Sequence, residues 1–263
     1  MMIDAPLAPR LTPAPKNRQK LALVIPTYHE AGNIRVLLNR VMVALDSAGI
    51  HYEMIVVDDD SRDGIAELVS AVSRSDPRVR FLVRIGERGL SGAITHGWRH
   101  TDAEILGVID ADLQHPPELL PLLFTAIMEG RDLAIGSRYI EGGKLDGWNP
   151  VRRLVSLAAA CASHPLQQKG LRARDPMSGF FLVRRRCLDG VVFHKSGFKL
   201  LLEILVRGRV CSVQEIPFSF ACRRDGRSKA GIRVALDYVA LLAMLYRERF
   251  GFARPSAALT MDH

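Results

Sequence analysis

Apolar and polar positions alternate in blocks along the first half of the chain. Leu21-Ala-Leu-Val-Ile25 is a branched apolar run stopped by Pro26 and reads as a buried strand. Asn33 to Ser47 then carries Ile34, Leu37, Leu38, Val41 and Leu45 at helical spacing, which predicts an amphipathic helix. The pattern recurs with strand Met54-Ile-Val-Val57 and a helix beginning near Ile65, and again with strand Val79 to Val83 and a helix ending near His100. A fourth strand, Ile105 to Ile109, meets Pro116-Pro117, which forbids its continuation and suits the first turn of a helix running to Met128. Asp132 to Gly136 is a fifth strand, and Pro150 to Ser156 begins a further helix. An apolar strand ends at Arg184, Phe198 to Val206 is helical with Glu203 within it, and Val210 to Phe220 is another strand. Ile232 to Phe250 forms the terminal helix. Strands and helices alternating at this rhythm predict an α/β protein with a mainly parallel sheet, right-handed crossovers and helices on both faces.

The 263 residues suffice for one large domain. Residues 1–19 are proline-rich without an apolar centre, which argues against a secretory signal and for a flexible arm. Residues 20–231 form the expected domain, 232–250 an amphipathic helix and 251–263 a tail. No uninterrupted apolar run reaches the roughly 18–20 residues of a membrane span. The terminal helix, with Arg233, Arg247 and Arg249 around apolar positions, suits either a membrane interface with anionic headgroups or ordinary core packing. A net charge of +8 implies an anionic partner. Nucleic acid is not expected, because basic segments studded with aromatics and zinc-finger spacings are both missing from the sequence. Cys161, Cys187, Cys211 and Cys222 are widely spaced and read as reduced core thiols.

The candidate chemistry collects at the ends of the strands. In an open α/β sheet, ligands sit beyond the carboxyl ends of the strands. There Asp110-Ala-Asp112-Leu-Gln114 offers two carboxylates and an amide oxygen, donors that suit Mg²⁺ or Mn²⁺. A helix-capping aspartate beside a solvated acid is the plainer alternative. Tyr28 and Glu30 lie at the first strand-to-helix turn, where Glu30 could equally complement the helix dipole. Asp58, Asp59, Asp60 and Asp63 crowd the second turn, either as caps or as ligands for ribose hydroxyls, base edges or a cation. Gly86-Glu-Arg-Gly89-Leu-Ser-Gly92 opens the third helix but fits neither the dinucleotide nor the ATP phosphate-loop pattern. Arg138, Arg152 and Arg153 near a carboxylate rim suit a phosphate clamp, or ion pairs with those acids. In a helix Arg152 and Ser156 share a face. Arg223-Arg-Asp-Gly226-Arg-Ser228-Lys229 reads as a solvated turn or a flap that closes on phosphates.

Seven motifs occur in one order: Pro26-Thr-Tyr28-His-Glu30, Val57-Asp-Asp-Asp-Ser-Arg-Asp-Gly64, Gly89-Leu-Ser-Gly92, Asp110-Ala-Asp-Leu-Gln114, Gly136-Ser-Arg-Tyr139, Ser178-Gly-Phe180 and Arg223-x-x-Gly226-x-Ser228-Lys229. Together, over about residues 20 to 250, they resemble the inverting GT-A glycosyltransferases of family 2, specifically the dolichol-phosphate (polyprenol-phosphate) mannose synthases. The resemblance implies a GT-A fold and transfer of mannose from GDP-mannose to a polyprenyl phosphate. It implies that Pro26, Tyr28, Glu30, Val56, Asp58, Asp110, Ala111 and Asp112 bind the nucleotide sugar, with Arg223 and Lys229 closing over it. Asp110, Asp112 and Gln114 would hold Mg²⁺ or Mn²⁺, and Arg138, Arg152 and Ser156 would receive the lipid phosphate. Asp112, Arg138 and Arg223 are the expected catalytic residues. An esterified phosphate has a second pKa of about 6, so the acceptor needs no general base at pH 7.

His29 stands where the family usually has Asn, Arg62 where it often has Pro, and Ile65 where it usually has Thr. These positions adjoin the expected nucleoside site, so a glucosyltransferase using UDP-glucose is the alternative enzyme. An inactive membrane-associated scaffold is the alternative outside enzymes, opposed by the intact Asp110, Asp112, Arg223 and Lys229. The expected location is the cytoplasmic face of a membrane, reached through the terminal helix or a small anchoring subunit.

Overall fold

The computed structural model describes residues 19–145, 150–168, 170–194, 199–220, 232–251 and 259–260. The elements that carry the fold are β1 (Leu21–Thr27), α1 (Ala31–Ser47), β2 (Tyr52–Asp58), α2 (Ile65–Ser75), β3 (Val79–Val83), α3 (Leu90–Arg99), β4 (Ile105–Val108), α4 (Leu120–Met128) and β5 (Leu133–Ser137). They continue as β6 (Lys144–Leu145), α5 (Pro150–Ser163), β7 (Phe181–Arg184), β8 (Val192–Phe193), α6 (Leu200–Arg207), β9 (Val213–Pro217), β10 (Ser219–Phe220), α7 (Ile232–Arg249) and β11 (Leu259–Thr260). Seven strands form the main sheet in the order β3-β2-β1-β4-β7-β5-β9. All its pairings are parallel except those of β7, which runs antiparallel between β4 and β5. The expected mainly parallel sheet is present, and β7 is the departure from it.

The period of two along each strand divides the core into two layers. Leu21, Leu23 and Ile25 of β1 pack with Met54 and Val56 of β2 under α1 and α4. Ala22 and Val24 pack with Ile55 and Val57 on the opposite face, against Ala93, Ile94 and Trp98 of α3 and Leu201 and Ile204 of α6. Covering both faces is why these strands read as unbroken apolar runs. The five apolar positions that predicted α1 are fully buried, each worth roughly 1.5–3 kcal/mol of transfer free energy.

Several sequence expectations shift. Pro26 does not stop β1, which runs on to Thr27. The carbonyl of Val24 accepts from Ile109 on the β4 side, and that of Thr27 accepts from Asp59 on the β2 side. Pro26 shares the parity of Val24, and pairing with β4 ends at Val24, so its missing N–H costs the ladder nothing. The strand expected over Val210 to Phe220 is divided into β9 and β10 around Phe218. A 3₁₀ turn, Pro117–Leu119, precedes α4. Cys187 is buried, as expected of a core thiol, but Cys161 and Cys211 are exposed; Cys222 lies outside the described residues. Phe198 also lies outside them, and α6 begins at Leu200.

α7 is a packing helix over its described side chains. Tyr238, Leu241 and Leu245 close on Leu166 and Leu202, and the hydroxyls of Tyr238 and Tyr246 donate to the carbonyls of Ala159 and Ala162 in α5. Glu203 of α6 is fully buried beneath this junction. Its carboxylate accepts from Arg207 and from the His194 N–H at 3.0 Å, and Arg207 also donates to Glu248 of α7 at 2.9 and 2.7 Å. Burial outweighs the neighbouring Arg207 and pushes the Glu203 acid up to about 7. A carboxyl that holds its proton more tightly when folded loses stability as pH rises from its unfolded pKa, about 4.3, through its folded one. The wild type should therefore lose on the order of 1–3 kcal/mol relative to Glu203→Gln between about pH 4.5 and 7, then level off. Urea unfolding of both proteins across this range measures it, and a pH-independent difference would show Glu203 to be charged throughout.

Candidate active site

The carboxyl ends of β1 and β4 and the start of α3 surround a cleft of about 370 Å³. Pro26, Tyr28, Glu30, Asp110, Ala111 and Asp112 line it, together with Asp59 and Arg88. The sequence thus brings six of its candidate residues to one cavity. Val56 and Asp58 do not line it. Val56 is fully buried in the core, and Asp58 is 2% exposed behind the cleft.

The turn after β4 aims its acids through local geometry. Asp112 Oδ1 accepts the Gln114 N–H at 3.2 Å, and Leu113 between them sits at φ 61°. A leucine there costs of order 1–2 kcal/mol, so the surroundings must hold the turn in place. Gly179 supplies part of that support: a Cβ on it would lie 2.5 Å from Asp110 Oδ2. The Ser178 hydroxyl donates to the Gly136 carbonyl at 2.7 Å, and Gly136 N–H donates to Phe180 at 2.9 Å. Ser178-Gly179-Phe180 is thereby fixed to the end of β5 with a side-chain-free position against Asp110. His115 packs between Phe180 and Phe218, with ring centroids 5.4 and 5.5 Å away. Burial pushes its imidazole down to about 4, so it is neutral near pH 7.

The crowded aspartates after β2 are each engaged. Asp58 accepts from the Thr27 hydroxyl at 2.8 Å, the Ser61 hydroxyl at 2.5 Å and the Ser61 N–H at 2.7 Å, joining β1 to the turn. Asp59 accepts from buried Arg84 Nε at 2.7 Å and from the Gly89 N–H at 2.9 Å. Asp60 pairs with Arg62 at 2.8 Å on the surface. Asp63 receives the N–H of Ala31 at 3.1 Å and of Ile65 at 3.3 Å, satisfying the starts of two helices. Glu30 precedes α1 without capping it by its side chain, which accepts from Asn33 Nδ2 at 3.0 Å. His29 and Arg62 have φ of 59° and 53°. Left-handed backbone suits Asn or His, whereas proline cannot adopt it, so Arg62 marks a turn of different shape from a proline-containing one.

Of the cations expected in the clamp, Arg138 is the one whose side chain is among the described residues. Arg138 makes a bidentate pair with Asp175, at 2.8 Å through both Nε and Nη2, and Asp175 is fully buried. Of the two sequence readings for Arg138, an ion pair with an acid describes the structure. Arg152 and Ser156 fall within α5, and Arg223 and Lys229 lie outside the described residues. Lys199 was not anticipated. It lines a cavity of about 60 Å³ with Asp110, Ser178 and Gly179, and burial, reinforced by Arg138, pushes its ammonium down to about 8. Arg88 was also missed as a cleft residue, whereas Asp59 belongs to the aspartate cluster already read as a possible ligand group. The Gly86 to Gly92 pattern was the available signal, since Gly92 makes room for Arg84: a Cβ there would lie 2.4 Å from Nη1. Asp110 and Asp112, as hard oxygen donors lining one cavity, fit a divalent cation. Gln114 belongs to the same turn without lining the cleft.

Residues 22–192 match the profile of Glycosyl transferase family 2. The chain is 41% identical over 220 residues to a dolichol-phosphate mannosyltransferase of Pyrococcus furiosus, covering 84% of this chain and 62% of that one. It thus spans less than two thirds of the archaeal relative. It is 36% identical to the dolichol-phosphate mannosyltransferase of Saccharomyces cerevisiae, with 88% of each covered. Its fold resembles glucosyl-3-phosphoglycerate synthase from Mycobacterium tuberculosis, solved with Mn²⁺, UDP and glucosyl-3-phosphoglycerate, at a TM-score of 0.67 and 18% identity over 91% of this chain and 82% of that one. Mannosyl-3-phosphoglycerate synthase from Rubrobacter xylanophilus matches at a TM-score of 0.64 and 18% identity, over 90% and 76% of the two chains. The sheet, the cleft and the family match agree: the chain is a glycosyltransferase of GT-A fold and belongs to Glycosyl transferase family 2.

Proposed function

We propose that the protein transfers mannose from GDP-mannose to a polyprenyl phosphate, giving a polyprenyl-phosphate mannose. The observation that carries this is the shared cleft of Tyr28, Glu30, Asp110 and Asp112 in a chain similar to named dolichol-phosphate mannosyltransferases. Pro26, Tyr28, Glu30, Val56 and Asp58 are assigned to the nucleoside. Asp110 and Asp112, with Gln114, would hold Mg²⁺ or Mn²⁺, which when bound neutralises the departing diphosphate. Arg223 and Lys229 are assigned to the donor, and Arg152 and Ser156 to the lipid phosphate. Arg138, oriented by its pair with Asp175, is assigned to the lipid phosphate with them.

The chemistry asks little of a base. A phosphate monoester is largely dianionic at pH 7 and attacks without losing a proton. The site must exclude water and align two anions, which accounts for carboxylates and Arg88 in the cleft and a neutral His115 enclosed by Phe180 and Phe218.

The enzyme is assigned to the cytoplasmic face of a membrane as a peripheral protein. Among the described residues no helix is long and apolar enough to cross a bilayer. Exposed Val239 and Phe250 of the terminal segment and Leu157 of α5, with Arg247 and Arg249, are the groups assigned to the interface; a small anchoring subunit is the other route. Radiolabelled GDP-mannose with Mg²⁺ and undecaprenyl or dolichyl phosphate should yield mannosyl lipid. Label appearing only with UDP-glucose would replace this reading with a glucosyltransferase.

A further inference from the structure

Among the described residues, Arg88 is the only cation lining the cleft, which it shares with the carboxylates of Glu30, Asp59, Asp110 and Asp112. Its guanidinium carbon lies 4.5 Å from the centroid of the Tyr28 ring. A guanidinium over an aromatic face is held there by cation–π attraction and can still offer N–H groups to phosphate oxygens.

The turn that carries Arg88 is built from beneath. Arg84 is nearly fully buried and donates to Asp59 at 2.7 Å, to the Gly89 carbonyl at 3.1 Å and to Glu87 at 3.3 Å. Asp59 in turn accepts the Gly89 N–H at 2.9 Å, so both residues flanking Arg88 are tied to one internal ion pair. The first turn of α3 follows directly, with no side-chain cap on its N–H groups. Ser91 within it is 1% exposed, and its hydroxyl has no hydrogen-bond partner among the described residues. An uncapped helix start beside a positioned arginine favours an anion.

We propose that Arg88 binds the diphosphate of the nucleotide-sugar donor, presented by a turn whose shape the buried Arg84–Asp59 pair sets. This rests on the donor reading above and gives the Gly86 to Gly92 motif a role. The carboxylates of the cleft repel a diphosphate, and Arg88 offsets that repulsion.

Calorimetric titration with GDP, GMP and guanosine, each with Mn²⁺, tests it in the wild type, Arg88→Ala, Arg88→Lys and Arg62→Ala. Arg88→Ala should weaken GDP about tenfold or more while leaving guanosine within about twofold, and lysine should restore part of the loss. Arg62→Ala, which removes an exposed charge nearby, should change GDP little. Unchanged GDP binding in Arg88→Ala, equal losses for GDP and guanosine, or an equal loss in Arg62→Ala would each overturn the assignment. The same series with UDP and uridine separates the two readings. A wild type that binds UDP but not GDP removes the guanosine donor while Arg88 is judged on UDP, and a wild type that binds neither removes both.

Discussion

Asp112→Ala should lower the rate of sugar transfer at saturating donor by about 10²–10³-fold, the scale on which a single electrostatic partner of a developing anion acts. The side chain lines the cleft with Asp110, and within the turn it accepts the Gln114 N–H at 3.2 Å. The loss should therefore appear in turnover and in the metal concentration needed for half activity, with little change in thermal stability. Initial rates over a Mn²⁺ titration, paired with melting curves, distinguish this from a folding defect. Full activity in the variant would return the Asp-x-Asp pattern to a capping role.

Arg84→Met should cost about 3–5 kcal/mol, because it leaves Asp59 charged, 6% exposed and without its guanidinium partner. The loss is not confined to that pair. Arg84 also holds Gly89 and faces Gly92, so the start of α3 and the position of Arg88 depend on it. Chemical denaturation would show a reduced midpoint at unchanged slope. The double variant Arg84→Met with Asp59→Leu should recover part of the stability but none of the donor affinity, since an apolar pair replaces the buried charges without rebuilding the turn. Recovery of both would mean that Arg88 is positioned by other contacts.

Much of this architecture was legible in the chain because the doubly covered sheet writes itself as apolar runs separated by helical periodicity. α1 was marked by five core positions, and all five are buried. The antiparallel entry of β7 was not legible, since strand direction depends on the path of the chain between Arg138 and Phe180 and leaves no local mark on Phe181–Arg184. Pro26 misled for a related reason: whether a missing N–H matters depends on which neighbour its parity faces. At the site, the carboxylates were visible as a pattern, but their division of labour was not. Asp58 and Asp59 are adjacent and identical, yet one faces Thr27 and Ser61 while the other meets Arg84 at the cleft. Lys199 carried no motif, and its proximity to Asp110 arises only from tertiary packing.

The reversal at β7 bears on how such an enzyme can diversify. β5 ends at Ser137 and β7 begins at Phe181, with Ile135 opposite Phe181, so the intervening chain leaves and rejoins the sheet at the same rim. Closing a longer excursion between fixed ends costs only about 0.6 kcal/mol per doubling of length. Insertions or deletions there need not shift strand register or disturb the Asp110 turn, as long as Ser178 and Gly179 return to Gly136. The rim that carries Asp110 is thus fixed by the sheet, while the segment that includes α5 can change length; under the proposed function that segment is where acceptors of different size would be accommodated.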